Sequence, residues 1–144
     1  METAELTRIR ARREAIVDAH IEAEAATHDA TATVATFRHP RYEAPALGAV
    51  LDGAEDVSGL VGQLLVAFPN FYLNRIATHH ADDAVIVECK FGGTHRGNWV
   101  GIEGTGKSME VQAACVFVFE GEDLVREKVY FDHGTILHQI GATA

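Results

Sequence analysis

Residues 101–108, GIEGTGKS, have the letter pattern of a phosphate-binding loop. That pattern binds phosphate only where a buried parallel strand precedes it and a helix N-terminus follows it. Here the residues that follow, 109–119, end in a run of β-branched and aromatic side chains, and no buried strand is indicated before the segment. We therefore interpret it as a connection between strands whose glycines permit positive φ, and we expect it to bind no nucleotide.

Two histidines are candidates for a ligand pocket. His95 lies on the same side of its predicted strand as Val87 and Cys89, which is the apolar side, so we expect its ring to point inward. There it could hydrogen-bond a carboxyl or a substrate carbonyl. The equal alternative is that His95 is a core residue whose ring nitrogens are hydrogen-bonded to the backbone. His20 lies at the edge of the apolar stripe of the first helix and is a weaker candidate.

No metal or cofactor is expected. His79 and His80 are neighbours on a strand, so their side chains diverge. His133 and His138 lack zinc-like spacing. The two cysteines lie in apolar, strand-like runs, where they more often act as small core residues than as ligands or a disulfide. No nucleophile elbow and no Ser/His/Asp or Cys/His set is evident.

The pattern of apolar residues predicts helices first and strands afterwards. The predicted helices are 3–26, 30–37 with Asp29 as its cap, 53–68, and a short one at 134–140. Residues 42–52 are expected to form an irregular extended segment or an edge hairpin. The predicted strands are 71–80, 84–94, 108–120 and 124–132, separated by turn residues.

This order predicts a single α+β domain over residues 1–144. Long antiparallel strands form a curved sheet with the helices on one face, and Gly92-Gly93 lies where a bend can form. A curved sheet with helices across its mouth encloses a cone-shaped cavity, which is the natural place for an apolar small molecule.

The composition argues against nucleic acid and membrane partners. The 144 residues are 47% hydrophobic and 23% charged, and 12 basic against 21 acidic residues give a net charge of −9. This charge repels a phosphate backbone. The charged N-terminus does not resemble a signal peptide, and no run of about 18 apolar residues can span a bilayer. We expect a cytoplasmic protein.

Several segments resemble the SnoaL-like polyketide cyclases of the nuclear-transport-factor-2-like superfamily. The carrying segments are GTHRGNWVGI at 93–102, GTGK at 104–107, FVFE at 117–120, YFD at 130–132 and LHQIG at 137–141. Looser agreement comes from HPRYE at 39–43 and FPNF at 68–71. The resemblance implies a cone-shaped α+β barrel with an apolar pocket, assembled as a homodimer or homotetramer. Such cyclases close a ring on a polyketide methyl ester by intramolecular aldol condensation, without a cofactor.

The resemblance places the catalytic acid/base at Asp132. A carboxyl desolvated in an apolar pocket can take a proton from the carbon beside a carbonyl and return it to the new alkoxide. Strand alternation puts Asp132 on one face with Tyr130 and Leu124. The alternative is that Asp132 caps the last helix. His95 is the second catalytic candidate, and the candidate substrate-binding residues are Trp99, Tyr42, Tyr130, His39 and His20.

The first hypothesis is thus a cofactor-independent cyclase acting on a hydrophobic, carbonyl-bearing molecule. An enzyme of the same fold that isomerises, dehydrates or hydrolyses an epoxide is the second hypothesis. A non-catalytic protein that binds an apolar small molecule is the third.

Overall fold

The computed structural model describes residues 3–142. Within this range the helices are α1 (Ala4–Ile21), α2 (Ala30–Val34), α3 (Ala54–Ala67) and α4 (His133–Gln139). A π-helical turn, Glu22–Ala26, continues α1, and a 3₁₀ turn occupies Pro45–Leu47. The strands are β1 (Arg41–Ala44), β2 (Ala49–Asp52), β3 (Tyr72–His80), β4 (Ala84–Thr94), β5 (Ser108–Glu120) and β6 (Asp123–Phe131).

The ends of the N-terminal helices follow from their capping residues. The side chain of Thr3 accepts a hydrogen bond from the Leu6 amide at the start of α1, and Asp29 accepts one from the Ala32 amide in α2. The predicted start of each helix and the cap at Asp29 are confirmed. Helix α2 is shorter than predicted: it ends at Val34, whereas the prediction extended it to residue 37.

The strands of the described chain form one curved sheet in the order β2-β1-β6-β5-β4-β3. Strands β3 to β6 pair in antiparallel fashion, as predicted. The predicted edge hairpin is formed by β1 and β2, and β1 runs parallel to β6. The sheet is therefore mixed at this side, where the sequence predicted antiparallel pairing throughout.

A β-bulge in β6 corrects the predicted face of that strand. Leu124 pairs with Phe119, but Arg126 pairs with the adjacent Val118, so Val125 is an extra residue. A one-residue insertion reverses which side chains point inward along the rest of a strand. The inward residues after the bulge are Glu127, Val129 and Phe131, and not Tyr130 and its even-numbered neighbours.

The phosphate-loop pattern lies in a connection between β4 and β5. Strand β5, and not a helix, begins at Ser108, the last residue of the pattern. The connection is tied to itself by backbone hydrogen bonds between Trp99 and Ile102. Gly101 and Gly106 adopt φ of 88° and 74°, a region that glycine enters without strain. The interpretation of this segment as a strand connection is confirmed.

The core lies between the inward face of the sheet and the helices. Cys89 and Cys115 are both free and buried in it, with their sulfur atoms 4.0 Å apart, as expected for core cysteines. In the part of the chain that the structure describes, no helix is both long and apolar enough to cross a membrane.

Candidate functional site

A largely apolar cavity lies between the inward face of the sheet and helix α3. Aromatic and aliphatic side chains from the strands, α3 and α4 form most of its wall, and two carboxylates interrupt it. The lining residues are Glu24, Tyr42, Leu47, Leu60, Leu64, Phe68, Phe71, Leu73, Phe91, Trp99, Met109, Cys115, Glu127, Val129, Phe131 and Ile136. Such a wall with few polar groups is typical of small-molecule sites.

The cavity is narrow. The space inside its wall measures about 560 Å³, including the part open to solvent, but only about 50 Å³ of it is wide enough for the centre of a water-sized sphere. A ligand with several rings therefore has to displace side chains of the wall to enter. A cavity thus lies where the curved sheet and the helices were expected to enclose one, and its use as a pocket for an apolar small molecule stays a prediction.

Glu127 reaches the cavity because of the bulge in β6. The extra residue, Val125, turns Glu127 inward beside Val129. Its backbone lies opposite Tyr42 of β1, which also lines the cavity. The Glu127 side chain is buried, at 4% exposure. A carboxyl in such a place needs a charged or hydrogen-bonding partner.

Glu24 reaches the same end of the cavity from the π-helical turn that continues α1. A π-helical turn contains one residue more than an α-helical turn, and such turns often occur at functional sites. In this turn Ala23 is buried and Glu22 is exposed, so Glu24 is the carboxyl of the turn that lines the cavity.

His20, from the last turn of α1, joins the two carboxyls. Its Nε2 lies 2.9 Å from Oε1 of Glu127 and 3.8 Å from Oε2 of Glu24. The Nε2 and Oε1 atoms are both buried, and their contact is an ion pair when His20 is protonated. We call His20, Glu24 and Glu127 the acidic end of the cavity.

A hydrogen-bond chain orients the imidazole ring of His20. The Thr36 hydroxyl donates to the Thr33 carbonyl at 2.7 Å, so its oxygen can accept from Nδ1 of His20 at 2.8 Å. The ring also lies edge-on to Phe37 and Phe117. Because Nδ1 is the donor to Thr36, Nε2 faces Glu127 either as the second donor of an imidazolium or as an acceptor.

Burial and charge shift the pKa values at the acidic end. Burial, helped by repulsion from Glu127 and opposed by His20, raises the pKa of Glu24 to about 7. Burial alone would lower the pKa of His20, but attraction to Glu127 and Glu24 outweighs it and the pKa is raised. Burial, with the two nearby carboxylates, also raises the pKa of Tyr42, which keeps its phenol neutral.

These properties suit proton transfer. A carboxyl with a pKa near 7 is divided between its acid and base forms at neutral pH, which is the condition for efficient general acid–base catalysis. An apolar wall keeps competing water away from the reacting atoms. Glu24 can thus remove a proton from a bound molecule or donate one to it.

Three of the candidates predicted from the sequence lie at this cavity. Tyr42 and Trp99 are part of its wall, and His20 contacts both of its carboxyls. Trp99 is buried, and its indole N–H donates to Nε2 of His133 at 3.1 Å. The substrate-binding role of these residues stays a prediction.

His95 points inward, as predicted, but it does not line the cavity. The ring is fully buried, and Nδ1 accepts a hydrogen bond from the Thr105 amide at 3.2 Å. Nε2 lies 3.2 Å from the Ile102 carbonyl, to which it can donate. The Thr105 hydroxyl also lies 3.0 Å from Nδ1, so both ring nitrogens have partners within the connection, which matches the core alternative for this histidine.

Asp132 is exposed and lies outside the cavity wall. Its carboxylate accepts hydrogen bonds from the Gly134 amide at 3.0 Å and the Thr135 hydroxyl at 2.7 Å. These bonds, the one from Thr135 above all, lower the pKa of Asp132, whereas a desolvated catalytic carboxyl was expected to have a raised pKa. The capping alternative describes the observed contacts.

Tyr130 and His39 are also outside the cavity. Tyr130 is 46% exposed on the outer face, because the bulge at Val125 reverses the alternation of β6. His39 is exposed and forms a surface pair with Asp52 at 3.2 Å. The predicted place of both residues in the pocket is therefore corrected.

The sequence analysis missed Glu24 and Glu127. Glu127 shares odd-numbered spacing with Val129 and Phe131, which was the available signal for an inward position. Glu24 follows an alanine near the end of a helix and carries no motif. Neither the π-helical turn nor the bulge has a residue signature in this chain.

Solved structures share this architecture. A protein of ketosteroid isomerase-like fold from Catenulispora acidiphila DSM 44928, in complex with trimethylamine, is 24% identical over 89% of this chain and 93% of that one, with a TM-score of 0.76. A phenazine biosynthesis-related protein from Pseudomonas aeruginosa is 14% identical over 100% and 88%, with a TM-score of 0.81. IdmH, a proposed polyketide cyclase from Streptomyces antibioticus, is 19% identical over 90% and 98%, with a TM-score of 0.67.

Because these sequence identities are all below 25%, the structural matches establish the fold alone. A comparison with curated protein sequences found no significant match. The SnoaL-like polyketide cyclase family, in contrast, matches residues 15–140, which include the end of α1, the other helices, the sheet and both carboxyls of the acidic end. The chain therefore belongs to the SnoaL-like polyketide cyclase family.

Proposed function

We propose that the protein catalyses cofactor-independent acid–base chemistry on a hydrophobic molecule that carries a carbonyl group, with ring closure of a polyketide-type ester as the specific reaction. The observation that carries the proposal is a carboxyl with a pKa of about 7, Glu24, in the wall of an apolar cavity. Family membership supports a cyclase-type reaction.

In this reaction the Glu24 carboxylate takes a proton from the carbon beside a carbonyl group. The resulting enolate carbon attacks a second carbonyl carbon of the same molecule, which forms the carbon–carbon bond of the ring and an alkoxide. Glu24 returns its proton to the alkoxide, so no oxidant, reductant or external proton is consumed. The substrate and product have the same atoms, and Glu24 ends in its starting state.

Asp132 remains the alternative base, because the resemblance to the cyclase family placed the catalytic acid/base there. It is supported by a strand-end position, whereas Glu24 is supported by desolvation and by its place in the cavity wall. Isomerisation, dehydration or epoxide hydrolysis would use the same carboxyl on a different bound molecule.

The test is exchange of carbon-bound protons for deuterium in apolar ketones. We would incubate the protein with 2-tetralone and with an aromatic β-keto methyl ester in deuterated buffer and follow exchange by NMR. The wild-type rate should rise with pH through about 7, as Glu24 becomes a carboxylate. Glu24→Gln should lose roughly 10²–10⁴ of the enzyme-dependent rate.

Asp132→Asn is the matched control, because it also replaces a carboxyl by its amide. We expect its exchange rate to stay within a few-fold of wild type. Loss of exchange in Asp132→Asn with retention in Glu24→Gln would transfer the role to Asp132. Absence of protein-dependent exchange for both ketones would contradict catalysis by carbon deprotonation.

A second candidate function is the binding of an apolar amine without turnover. An apolar, aromatic wall that ends in two carboxyls suits a protonated amine. The C. acidiphila protein of the same fold was solved with trimethylamine. Calorimetric binding of trimethylamine that is lost in Glu24→Gln, in a protein without ketone exchange, would favour this function.

A further inference from the structure

His20 is a buried titratable group that the proposed reaction does not use directly. Its side chain is 3% exposed and is not part of the cavity wall, so it lies behind the two carboxyls rather than beside a ligand. It is nevertheless the one described side chain within ion-pair distance of both, at 2.9 Å from Glu127 and 3.8 Å from Glu24.

We propose that His20 is the positioning residue of the acidic end: it holds Glu127 as a carboxylate and leaves Glu24 as the one carboxyl there that exchanges a proton with a ligand. The inference rests on the proposed function of Glu24. It adds a division of roles between two carboxyls that share one cavity.

The orientation of the ring carries the argument. The Thr36 hydroxyl donates its hydrogen bond to the Thr33 carbonyl, so toward His20 its oxygen can only accept. Nδ1 of His20 must therefore be the donor. A second proton on Nε2 then makes an imidazolium whose charge faces Oε1 of Glu127. Glu127 and His20 together are neutral in this form, so the acidic end changes charge only through Glu24.

Without His20 the two carboxyls would face the same apolar space with no cation between them. Two carboxyls in that situation cannot both ionise and instead share one proton. The proton could then lie on either residue, and the base would no longer be defined. His20 prevents this by making Glu127 the partner of a cation.

The surrounding titratable groups do not supply an alternative cation. Tyr42 faces the carboxyls from β1, and its raised pKa keeps it neutral. Cys115 of β5 contacts Cys89 of β4, and this contact, with burial, raises the pKa of the Cys115 thiol. Among the described residues of these strands, the titratable groups that face the carboxyls are thus a phenol and thiols, and none of them is a cation.

The test measures the carboxyl directly, without a substrate. Protein labelled with ¹³C at the side-chain carboxyl of glutamate would be titrated by NMR, and the resonance of Glu24 assigned by its loss in Glu24→Gln. In His20→Gln the midpoint of the upper carboxyl titration should rise by roughly one pH unit or more, because a cation within 4 Å is removed. In Glu127→Gln the Glu24 midpoint should fall by about one unit, because a like charge is removed.

His95→Gln is the matched control for the loss of a buried imidazole. It should leave the Glu24 midpoint unchanged, since His95 contacts the backbone of a loop and no carboxyl. A midpoint in folded His20→Gln within about 0.3 units of wild type would overturn the proposal and make His20 a packing residue.

A second measurement decides the question if His20→Gln does not fold. In wild-type protein at pH 6.5, ¹⁵N NMR of the His20 ring should show both nitrogens protonated. A neutral ring with only Nδ1 protonated would place the proton on Glu127 and overturn the proposal. Failure of ketone exchange alone would contradict the proposed function, and the two titrations would still decide the role of His20.

Discussion

The acidic end of the cavity and the connection at 95–107 both contain a buried histidine, but only the histidine of the acidic end faces carboxylates. His95 uses both ring nitrogens within the connection, Nδ1 on the hydroxyl and amide of Thr105 and Nε2 on the Ile102 carbonyl. His20 uses one nitrogen on a hydroxyl and directs the other at the carboxylate of Glu127, 2.9 Å away. Polar groups that satisfy nearby backbone hold a loop in place, whereas buried charges gathered around a cavity can change protonation when a ligand binds.

The largest stability effect should come from His95. His95→Ala leaves the Thr105 amide and the Ile102 carbonyl without their partner and opens a cavity in the core. We expect a loss of roughly 2–4 kcal/mol in the free energy of unfolding, measured by urea denaturation, with an unchanged pH profile of ketone exchange. The control is His138→Ala, which removes an exposed ring. A stable His95→Ala protein without exchange activity would put His95 into the catalytic machinery.

Glu24→Gln should have the opposite effect on stability. The raised pKa means that the folded state binds a proton more tightly than the unfolded state, so ionisation of Glu24 lowers stability as pH rises from about 4.5 to about 7. Gln does not ionise, so the variant should equal wild type at pH 4 and exceed it by up to about 3 kcal/mol at pH 8. Thermal unfolding at both pH values measures this. If the difference in stability between Glu24→Gln and wild type is no larger at pH 8 than at pH 4, Glu24 is not desolvated.

The smallest effect should come from Asp132. Asp132→Ala removes the hydrogen bonds to the Gly134 amide and the Thr135 hydroxyl and should lower Tm slightly at pH 7, whereas Asp132→Asn should keep most of the cap. The pKa of Asp132 is lowered in the fold, so its contribution is present above the ordinary carboxyl pKa and is lost as pH falls through the folded value. The difference between Asp132→Ala and wild type should therefore disappear in acid. A difference that persists there would mean that the cap does not depend on the charge.

The fold could be predicted largely because its turns and caps have residue signatures. The bounds predicted for β4 and β5 are those of Ala84–Thr94 and Ser108–Glu120, where turn residues and long apolar alternation mark both ends. The cap at Asp29 and the connection at 101–108 were predictable for the same reason. The curved sheet and its cavity were expected from the order of helices and strands, and the family resemblance implied the same barrel.

The contents of the cavity could be predicted less well. Strand alternation was extended through Val125 as if β6 were regular, and this placed Tyr130 inside and Glu127 outside. The helical period was extended through Glu22–Ala26, although that segment is a π-helical turn. Both errors come from tertiary packing that selects an irregular backbone without a distinctive local sequence.

The bulge at Val125 has a consequence for how the chemistry of such a domain changes over evolution. Deletion of Val125 would keep Glu127 opposite Phe117 and facing inward, because the alternation that starts at Leu124 then runs on to Glu127 without the extra residue. Most pairing partners of the sheet could be kept, since a bulge adds a single unpaired residue. If the residue stayed and the bulge were lost, Val125 would instead pair with Val118, and Glu127 would pair with Val116 and face solvent. Chains of this fold with strands of the same length can therefore present opposite sets of β6 side chains to the cavity, according to whether this strand contains the bulge.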